Sequence, residues 1–136
     1  MSHVGLTRAK NDLEKHIESG RAHLILGDFA RAALPKSEFD AVLSHRVLHL
    51  LGSNGLVKAF SKQAHSILKP NGLLCISARD DRDFNEDQME WVSEENSTAK
   101  YKNRPGHIIS FWNKNRFEST FSTVSYTHLT LPTSPK

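Results

Sequence analysis

A polar trio, Ser44-His45-Arg46, follows directly after the mainly apolar residues 39–43. A hydroxyl, an imidazole and a guanidinium together can donate hydrogen bonds, accept a proton and bind an anion. Residues 39–43 carry apolar side chains on both faces, a pattern typical of a strand buried in a parallel sheet. Because ligands of such sheets bind just beyond the carboxyl ends of the strands, the sequence predicts a site at the trio.

A second candidate position, Gly27-Asp28-Phe29, follows the short apolar stretch 23–26, which we predict to be a strand. A carboxylate and an aromatic ring at a strand end can hydrogen-bond the edge of a heteroaromatic ligand and stack on its face. An ordinary turn with a solvated Asp28 and a core Phe29 is the alternative, and the tripeptide alone favours that alternative.

The order of elements around the trio predicts a parallel βαβ unit. After a break at residues 52–55, apolar residues recur at helical spacing from position 56 to 68, with Ser53 or Asn54 as the N-cap. Pro70-Asn71-Gly72 then predicts a tight turn, and residues 73–78 predict a strand. Upstream, apolar residues at helical spacing predict one amphipathic helix over residues 4–19.

The C-terminal half offers weaker patterns. Met89, Trp91 and Val92 favour a helix after an acidic loop, and residues 107–112 favour a short strand. Asn113 is a suitable N-cap for a final helix that carries Phe117 and Phe121, and Trp112 can pack on Phe117 as a hydrophobic staple.

Metal and thiol chemistry are not predicted. The acidic residues from Asp81 to Asp87 alternate like calcium ligands, but Glu86 and Val92 occupy the positions that require Gly and Glu. His45 and His49 have the i, i+4 spacing of two metal ligands, yet the segment reads as strand and loop and lacks a third ligand. Cys75, the single cysteine, lies within an apolar stretch, which predicts a buried structural thiol.

Length and composition fit one globular domain. The chain has 136 residues, 38% hydrophobic, with a net charge of +3. Its basic residues are scattered, so nucleic-acid binding is not favoured. No stretch approaches the ~18 to 20 apolar residues of a membrane span, and the N-terminus lacks the pattern of a signal peptide. We therefore expect a cytoplasmic protein without membrane contact.

Three motifs in order resemble class I S-adenosylmethionine-dependent methyltransferases, over residues 1 to about 122. The motifs are Gly27-Asp28-Phe29, the strand that ends in Ser44-His45-Arg46, and Ile67-Leu68-Lys69-Pro70-Asn71-Gly72-Leu73-Leu74. The resemblance implies an α/β, Rossmann-like three-layer fold with a mostly parallel sheet. It also implies S-adenosyl-L-methionine as the cofactor, with a small-molecule acceptor as our expectation.

The resemblance also assigns roles to individual residues. Asp28 would bind the adenine amino group and Phe29 would contact the adenine, while the methionine end of the cofactor would be lined by Ser44, His45, Arg46 and His49. Arg79 and His107 would face the acceptor. Since such enzymes align an acceptor with an activated methyl group and remove its proton, His45 and His107 are the candidate bases.

The chain departs from the family pattern at both ends. It lacks the glycine-rich loop after the first strand and the acidic residue that ends the second, and its last residues resemble a translated sequencing adapter. We therefore expect a partial methyltransferase domain at residues 1–122, without the first two strands and the closing hairpin, and a non-native tail at 123–136. Such a chain would bind the cofactor poorly or not at all.

The missing strands have a geometric consequence. In the family's sheet order the strands at 23–26 and 39–43 lie three spacings apart, roughly 14 Å, with the absent strands between them. Either these two strands pair directly, or an apolar edge stays open.

Two other classes of function remain open. A non-catalytic α/β interaction module would use the aromatic residues Phe111, Trp112, Phe117 and Phe121 for a partner, although the staple favours a core role for them. A fragment of another nucleotide-binding Rossmann-like protein is the second. Nucleic-acid amino methylation is not favoured, because Ser44-His45-Arg46 stands where an Asn-Pro-Pro-aromatic motif would be.

Overall fold

The computed structural model describes residues 2–121. The chain divides into two compact units, Met1–Ala33 and the part from Leu34 onward. The first unit contains helices α1 (His3–Asp12) and α2 (Glu14–Glu18). Ser2 caps α1, because its Oγ accepts a hydrogen bond from the Gly5 N–H at 3.0 Å. The sequence predicted a single helix over 4–19, but the structure breaks it at Leu13. The break comes directly after Asn11 and Asp12, two weak helix formers.

The strand predicted at residues 23–26 does not form. The segment has no regular secondary structure and joins no strand ladder among the described residues, and Ile25 and Leu26 are exposed. The prediction was wrong because a strand requires a paired neighbour, which local sequence cannot supply.

The predicted βαβ unit is confirmed. Strand β1 (Phe39–His45) leads through a 3-10 turn into helix α3 (Asn54–Ile67) and parallel strand β2 (Leu68–Ser77). Ser53 is the N-cap of α3, since its Oγ accepts the Leu56 N–H at 3.2 Å. The buried face of α3 consists of Val57, Phe60, Ala64 and Ile67.

The two strands are in register from Ala41, opposite Leu73, to His45, opposite Ser77. Between Phe39 and Ala41 the register shifts, and the predicted Pro70-Asn71-Gly72 turn forms the irregularity. A Cβ on Gly72 would lie 2.9 Å from the Lys69 carbonyl oxygen and 3.3 Å from that of Asp40. Only glycine fits this close backbone approach without a shift.

One face of the parallel pair is exposed. Leu43 is 79% and Leu73 61% exposed, and the thiol-bearing Cys75, which is opposite Leu43, is exposed as well. The prediction of a buried thiol was therefore wrong, because β1 is paired only with β2 among residues 2–121 and one of its faces meets solvent. Because β1 has β2 as its single partner among residues 2–121, its other edge stays open, which is one of the two outcomes that the sequence offered.

A three-stranded antiparallel sheet follows, with β3 (Met89–Ser93), β4 (Thr98–Tyr101) and β5 (Ile108–Ser110) in that order. Its core consists of Met89, Ala99, Ile109 and Phe111. The helix predicted through Met89 and Trp91 was wrong. The residues alternate with period two, so that Met89 and Trp91 pack inward while Glu90 pairs with Lys100 across the strands at 2.8 Å.

Helix α4 (Lys114–Phe121) begins at the predicted cap, where Asn113 Oδ1 accepts the Arg116 N–H at 2.9 Å. The predicted staple is also confirmed, with the ring centroids of Trp112 and Phe117 5.2 Å apart. Phe111, Trp112 and Phe121 are buried, so these aromatic side chains belong to a core.

The tail predicted at 123–136 lies outside the described residues. Within the described part of the chain, no helix has the length and apolar character needed to cross a membrane.

Candidate functional site

The carboxyl ends of β1 and β2 are held together by backbone and side-chain bonds. The Arg46 N–H donates to the carbonyl oxygen of Ser77 at 3.0 Å and to its hydroxyl oxygen at 3.1 Å. Arg46 itself adopts a φ of 57°, in the left-handed region that is uncommon for non-glycine residues. Ser44 and His45 are therefore the last two residues of β1, and of the predicted trio only Arg46 lies in the sharp turn that follows the strand.

Ser77 also holds the imidazole of His45. The Ser77 Oγ and His45 Nδ1 lie 2.7 Å apart, a hydrogen-bond distance. A hydroxyl has one donor and two acceptor sites, so it can serve both His45 and the Arg46 N–H. The contact orients the exposed His45 ring, and no hydrogen bond within the described residues engages its Nε2.

His49 lies in the 3-10 turn Leu48–Leu50 and is only 6% exposed. Its Nδ1 is enclosed and has no hydrogen-bond partner among residues 2–121, and the same is true of the Ser44 hydroxyl on β1. Burial lowers the pKa of His49 below 6.5, and the positive charges of Arg79 and Arg46 lower it further. The carboxylate of Asp83 acts in the opposite direction and raises the pKa. The ring is therefore neutral at pH 7.

Arg79 follows β2 and is fixed by the antiparallel part of the fold. Its Nη1 donates to the Tyr101 hydroxyl at 2.9 Å, its Nε is 3.7 Å from an oxygen of Asp83, and its guanidinium lies 5.7 Å from the Phe111 ring centroid. Its carbonyl oxygen accepts the Trp112 N–H at 2.7 Å. These contacts fix the guanidinium near the strand ends.

Two hydrogen bonds hold the turn that carries His49, one within the turn and one from the last residue of β5. The Leu51 N–H donates to the Leu48 carbonyl oxygen at 3.1 Å, and the Ser110 hydroxyl donates to the Leu51 carbonyl oxygen at 3.3 Å. Strand β5 thus supports the turn from one side, and β1 leads directly into it.

The structure brings together a set of predicted site residues at one end of the parallel pair, namely Ser44, His45, Arg46, His49 and Arg79. His107 is not joined to them. It is exposed, it precedes β5, and its N–H donates to the Arg104 carbonyl oxygen at 3.2 Å. No hydrogen bond or ion pair within residues 2–121 connects His107 to that set, and its catalytic and substrate roles stay predictions.

Sequence reasoning missed Ser77, Tyr101 and Asp83. Ser77 could have been found, because it is the first polar residue after the apolar run of β2 and the parallel register places it opposite His45. Tyr101 and Asp83 could not, since their relation to Arg79 depends on the antiparallel sheet.

Asp28 and Phe29 lie in the N-terminal unit. Asp28 Oδ1 accepts the Ala30 N–H at 3.0 Å, and its other oxygen is 3.8 Å from Arg31 Nε. Phe29 is half-buried. The local geometry is that of a turn, and the adenine-binding roles of both residues stay predictions.

The sequence of the chain matches a known protein family. Residues 1–76 match the family model described as "Methyltransferase domain". The chain belongs to this methyltransferase domain family. The match includes the βαβ unit almost to the end of β2, and so contains Ser44, His45, Arg46 and His49, while Ser77 and Arg79 lie beyond it.

A solved structure shows the same fold for the methyltransferase domain. The PH0226 protein from Pyrococcus horikoshii OT3 is similar to this chain with a TM-score of 0.70 at 16% sequence identity, over 90% of this chain. The chain spans 58% of the length of that structure. No curated protein matches the sequence. The predicted Rossmann-like α/β fold class is thereby confirmed.

Metal ligation has no support in the geometry. Within the described part of the chain, no group of three or more His, Cys, Asp or Glu side chains is arranged to hold a metal ion.

Proposed function

We propose that the chain is part of an S-adenosylmethionine-dependent methyltransferase that acts on a small-molecule acceptor. The observation that supports this most strongly is the cluster of polar groups at the ends of β1 and β2, within a segment that matches the methyltransferase domain family. Carboxyl ends of parallel strands are where such folds bind ligands.

The residues fit the cofactor chemically. Ser44 Oγ and His49 Nδ1 are buried polar atoms without partners, which is costly unless a ligand or water supplies a hydrogen bond. They lie on the segment that we assign to the methionine end. Asp28 keeps acceptor capacity for an adenine amino group, because its carboxylate is bound at only two places within its own turn.

The cofactor would supply a methyl group on a sulfonium, which needs no further activation. The protein then has to hold the acceptor in line with that methyl group and remove a proton from it. His45 is our candidate base, since the Ser77 contact fixes its ring at the strand end and leaves Nε2 exposed. His107 is the second candidate.

We further infer that the chain is a partial domain. It spans 58% of the similar solved structure, and its seven glycines include no glycine-rich loop. Without that loop the backbone makes fewer contacts with the cofactor, so weak binding is expected. The predicted cytoplasmic location remains part of this proposal.

Titration calorimetry with S-adenosylhomocysteine tests the function. We expect binding weaker than roughly 100 µM, about −5.5 kcal/mol, and no measurable heat for Asp28→Asn. Asp12→Asn, an exposed carboxylate on α1, is the matched control and should bind like the parent chain. Binding by the parent chain that Asp28→Asn leaves unchanged would contradict the proposed function, and micromolar binding would contradict the partial-domain inference.

The genomic DNA upstream of the Met1 codon tests the partial domain independently. We expect it to encode a strand, a glycine-rich turn and an acidic residue in frame. An in-frame stop codon at that place would contradict the inference.

A further inference from the structure

We propose that Ser77 is a positioning residue of the methyl transfer, because its hydroxyl holds His45 Nδ1 and thereby makes Nε2 the nitrogen that takes the acceptor's proton. This inference rests on the proposed function and deepens it at the same site. Ser77 lies one residue beyond the range 1–76 of the family match, so that match assigns it no role.

The Ser77 hydroxyl has two neighbours, both from the end of β1. His45 Nδ1 lies 2.7 Å from Oγ, and the Arg46 N–H donates to the same oxygen at 3.1 Å. The parallel register places Ser77 directly opposite His45, so the two side chains lie on the same face of the sheet. The contact is therefore built on the strand ladder itself.

Either direction of the hydrogen bond between Ser77 and His45 occupies Nδ1. Where the hydroxyl donates, the lone pair of Nδ1 is used, and where Nδ1 carries the hydrogen, it has no lone pair to offer. In both cases Nε2 is the ring nitrogen that remains for a ligand. No hydrogen bond within the described residues engages it.

Proton transfer to Nε2 requires the tautomer that carries its hydrogen on Nδ1. Ser77 Oγ can accept that hydrogen, because a hydroxyl has two acceptor sites and the Arg46 N–H uses one. In the proposed reaction the acceptor's proton passes to Nε2, the electron pair left on the acceptor forms the bond to the methyl carbon, and the pair of the broken carbon–sulfur bond stays on sulfur. The Nδ1–H bond to Ser77 persists throughout, so proton uptake requires no movement of the ring.

The ring of His45 depends on this one contact. His45 is exposed, and within residues 2–121 no other hydrogen bond or ion pair holds its ring. Without the hydroxyl, rotation about the side-chain torsions would present either nitrogen to an acceptor. The turn is secured separately, because the Arg46 N–H also donates to the Ser77 carbonyl oxygen at 3.0 Å.

Methylation of the full chain by methyl iodide tests the proposal, since a ring nitrogen reacts only through a free lone pair. The chain is treated to low conversion at a pH where imidazoles are neutral. The peptide that contains His45 is then isolated, and its hydrolysate is separated into Nδ1-methylhistidine and Nε2-methylhistidine. We expect the Nε2 product to dominate in the parent chain.

Ser77→Ala should lower the ratio of Nε2 to Nδ1 product at His45 about tenfold, which equals about 1.4 kcal/mol, the size of one net hydrogen bond. Ser77→Thr and Ser77→Val are a matched pair of the same shape, of which only threonine keeps the hydroxyl. Threonine should retain the parent ratio and valine should behave like alanine. This pair keeps the test valid if Ser77→Ala fails to fold.

His65, an exposed imidazole on α3, is the internal reference, and its product ratio should be the same in every variant. Equal ratios at His45 in the parent chain and Ser77→Ala, equal ratios in the threonine and valine variants, or an equal change at His65 would overturn the proposal. A fall confined to His45 and restored by threonine supports it. Failure of the proposed function is measured separately by S-adenosylhomocysteine titration, because the product ratio is determined without the cofactor.

Discussion

His49 shows how burial and neighbouring charge set the state of a single side chain. An imidazole in water is half protonated near pH 6.5, but this one is enclosed, and the positive charges of Arg79 and Arg46 act on it. Both effects disfavour the imidazolium. His49 was named from the sequence as a candidate cofactor contact, but its burial and its lowered pKa depend on tertiary packing, which the local sequence at 48–51 does not show.

The lowered pKa of His49 predicts a pH dependence of stability. The unfolded chain takes up this proton near pH 6.5 and the folded chain only at lower pH, so the stabilisation is full above 6.5 and declines as pH falls toward the folded pKa. The loss is about 1.4 kcal/mol for each unit by which folding lowers the pKa. Urea unfolding at pH 7.5 and 5.5 measures it.

His49→Gln is the control for this pH experiment, because it cannot take up the proton. The free energy of unfolding of the parent chain should fall more between pH 7.5 and 5.5 than that of the variant. Equal falls in both proteins would contradict the assigned pKa shift.

Cys75 gives a second test at this scale. Its exposure predicts that the native thiol reacts with a disulfide reagent at pH 8 within about tenfold of the rate in denaturant. Absorbance of the released thiolate measures the rate, and Cys75→Ser provides the baseline. A native rate lower by about a thousandfold would show that the sheet face is covered.

At the scale of elements, the βαβ unit was predictable because its signals are local. Apolar runs, the Ser53 cap and the Pro70-Asn71-Gly72 turn each favour the observed structure without reference to distant residues. The antiparallel sheet was missed, since Met89-Glu90-Trp91-Val92 is short enough to fit a helix or a strand. The prediction of a strand at 23–26 was wrong for a different reason, because the segment has no neighbouring strand to pair with among the described residues.

Gly72 tests the packing of the βαβ unit. Gly72→Ala should destabilise the fold by about 1 to 3 kcal/mol, because the new Cβ would meet two backbone oxygens at 2.9 and 3.3 Å. Thermal or urea unfolding measures the change.

Gly55→Ala is the matched control for Gly72→Ala. Gly55 lies in the first turn of α3, where an added Cβ would meet nothing closer than Ser53 Oγ at 3.9 Å. Alanine there should stabilise the chain by about 0.5 to 1 kcal/mol. A neutral Gly72→Ala, or equal losses in both variants, would contradict the described ladder.

At the scale of the whole molecule, the chain combines a methyltransferase-type parallel pair with an antiparallel sheet that holds Arg79 in place. Strand ends were predictable as the site because they follow from chain order alone. The partners of Arg79 were not, because Tyr101 and Phe111 reach it only through tertiary packing. One face of β1 and β2 carries exposed apolar side chains, among them Leu43 and Leu73.

The most direct test of the central claim is amide NMR of the chain during titration with S-adenosylhomocysteine. The account predicts saturable shifts concentrated at residues 44–49 and 77–79, the carboxyl ends of β1 and β2. Shifts centred on the β3–β4 turn at residues 94–97, or no saturable shifts at the strand ends, would contradict it.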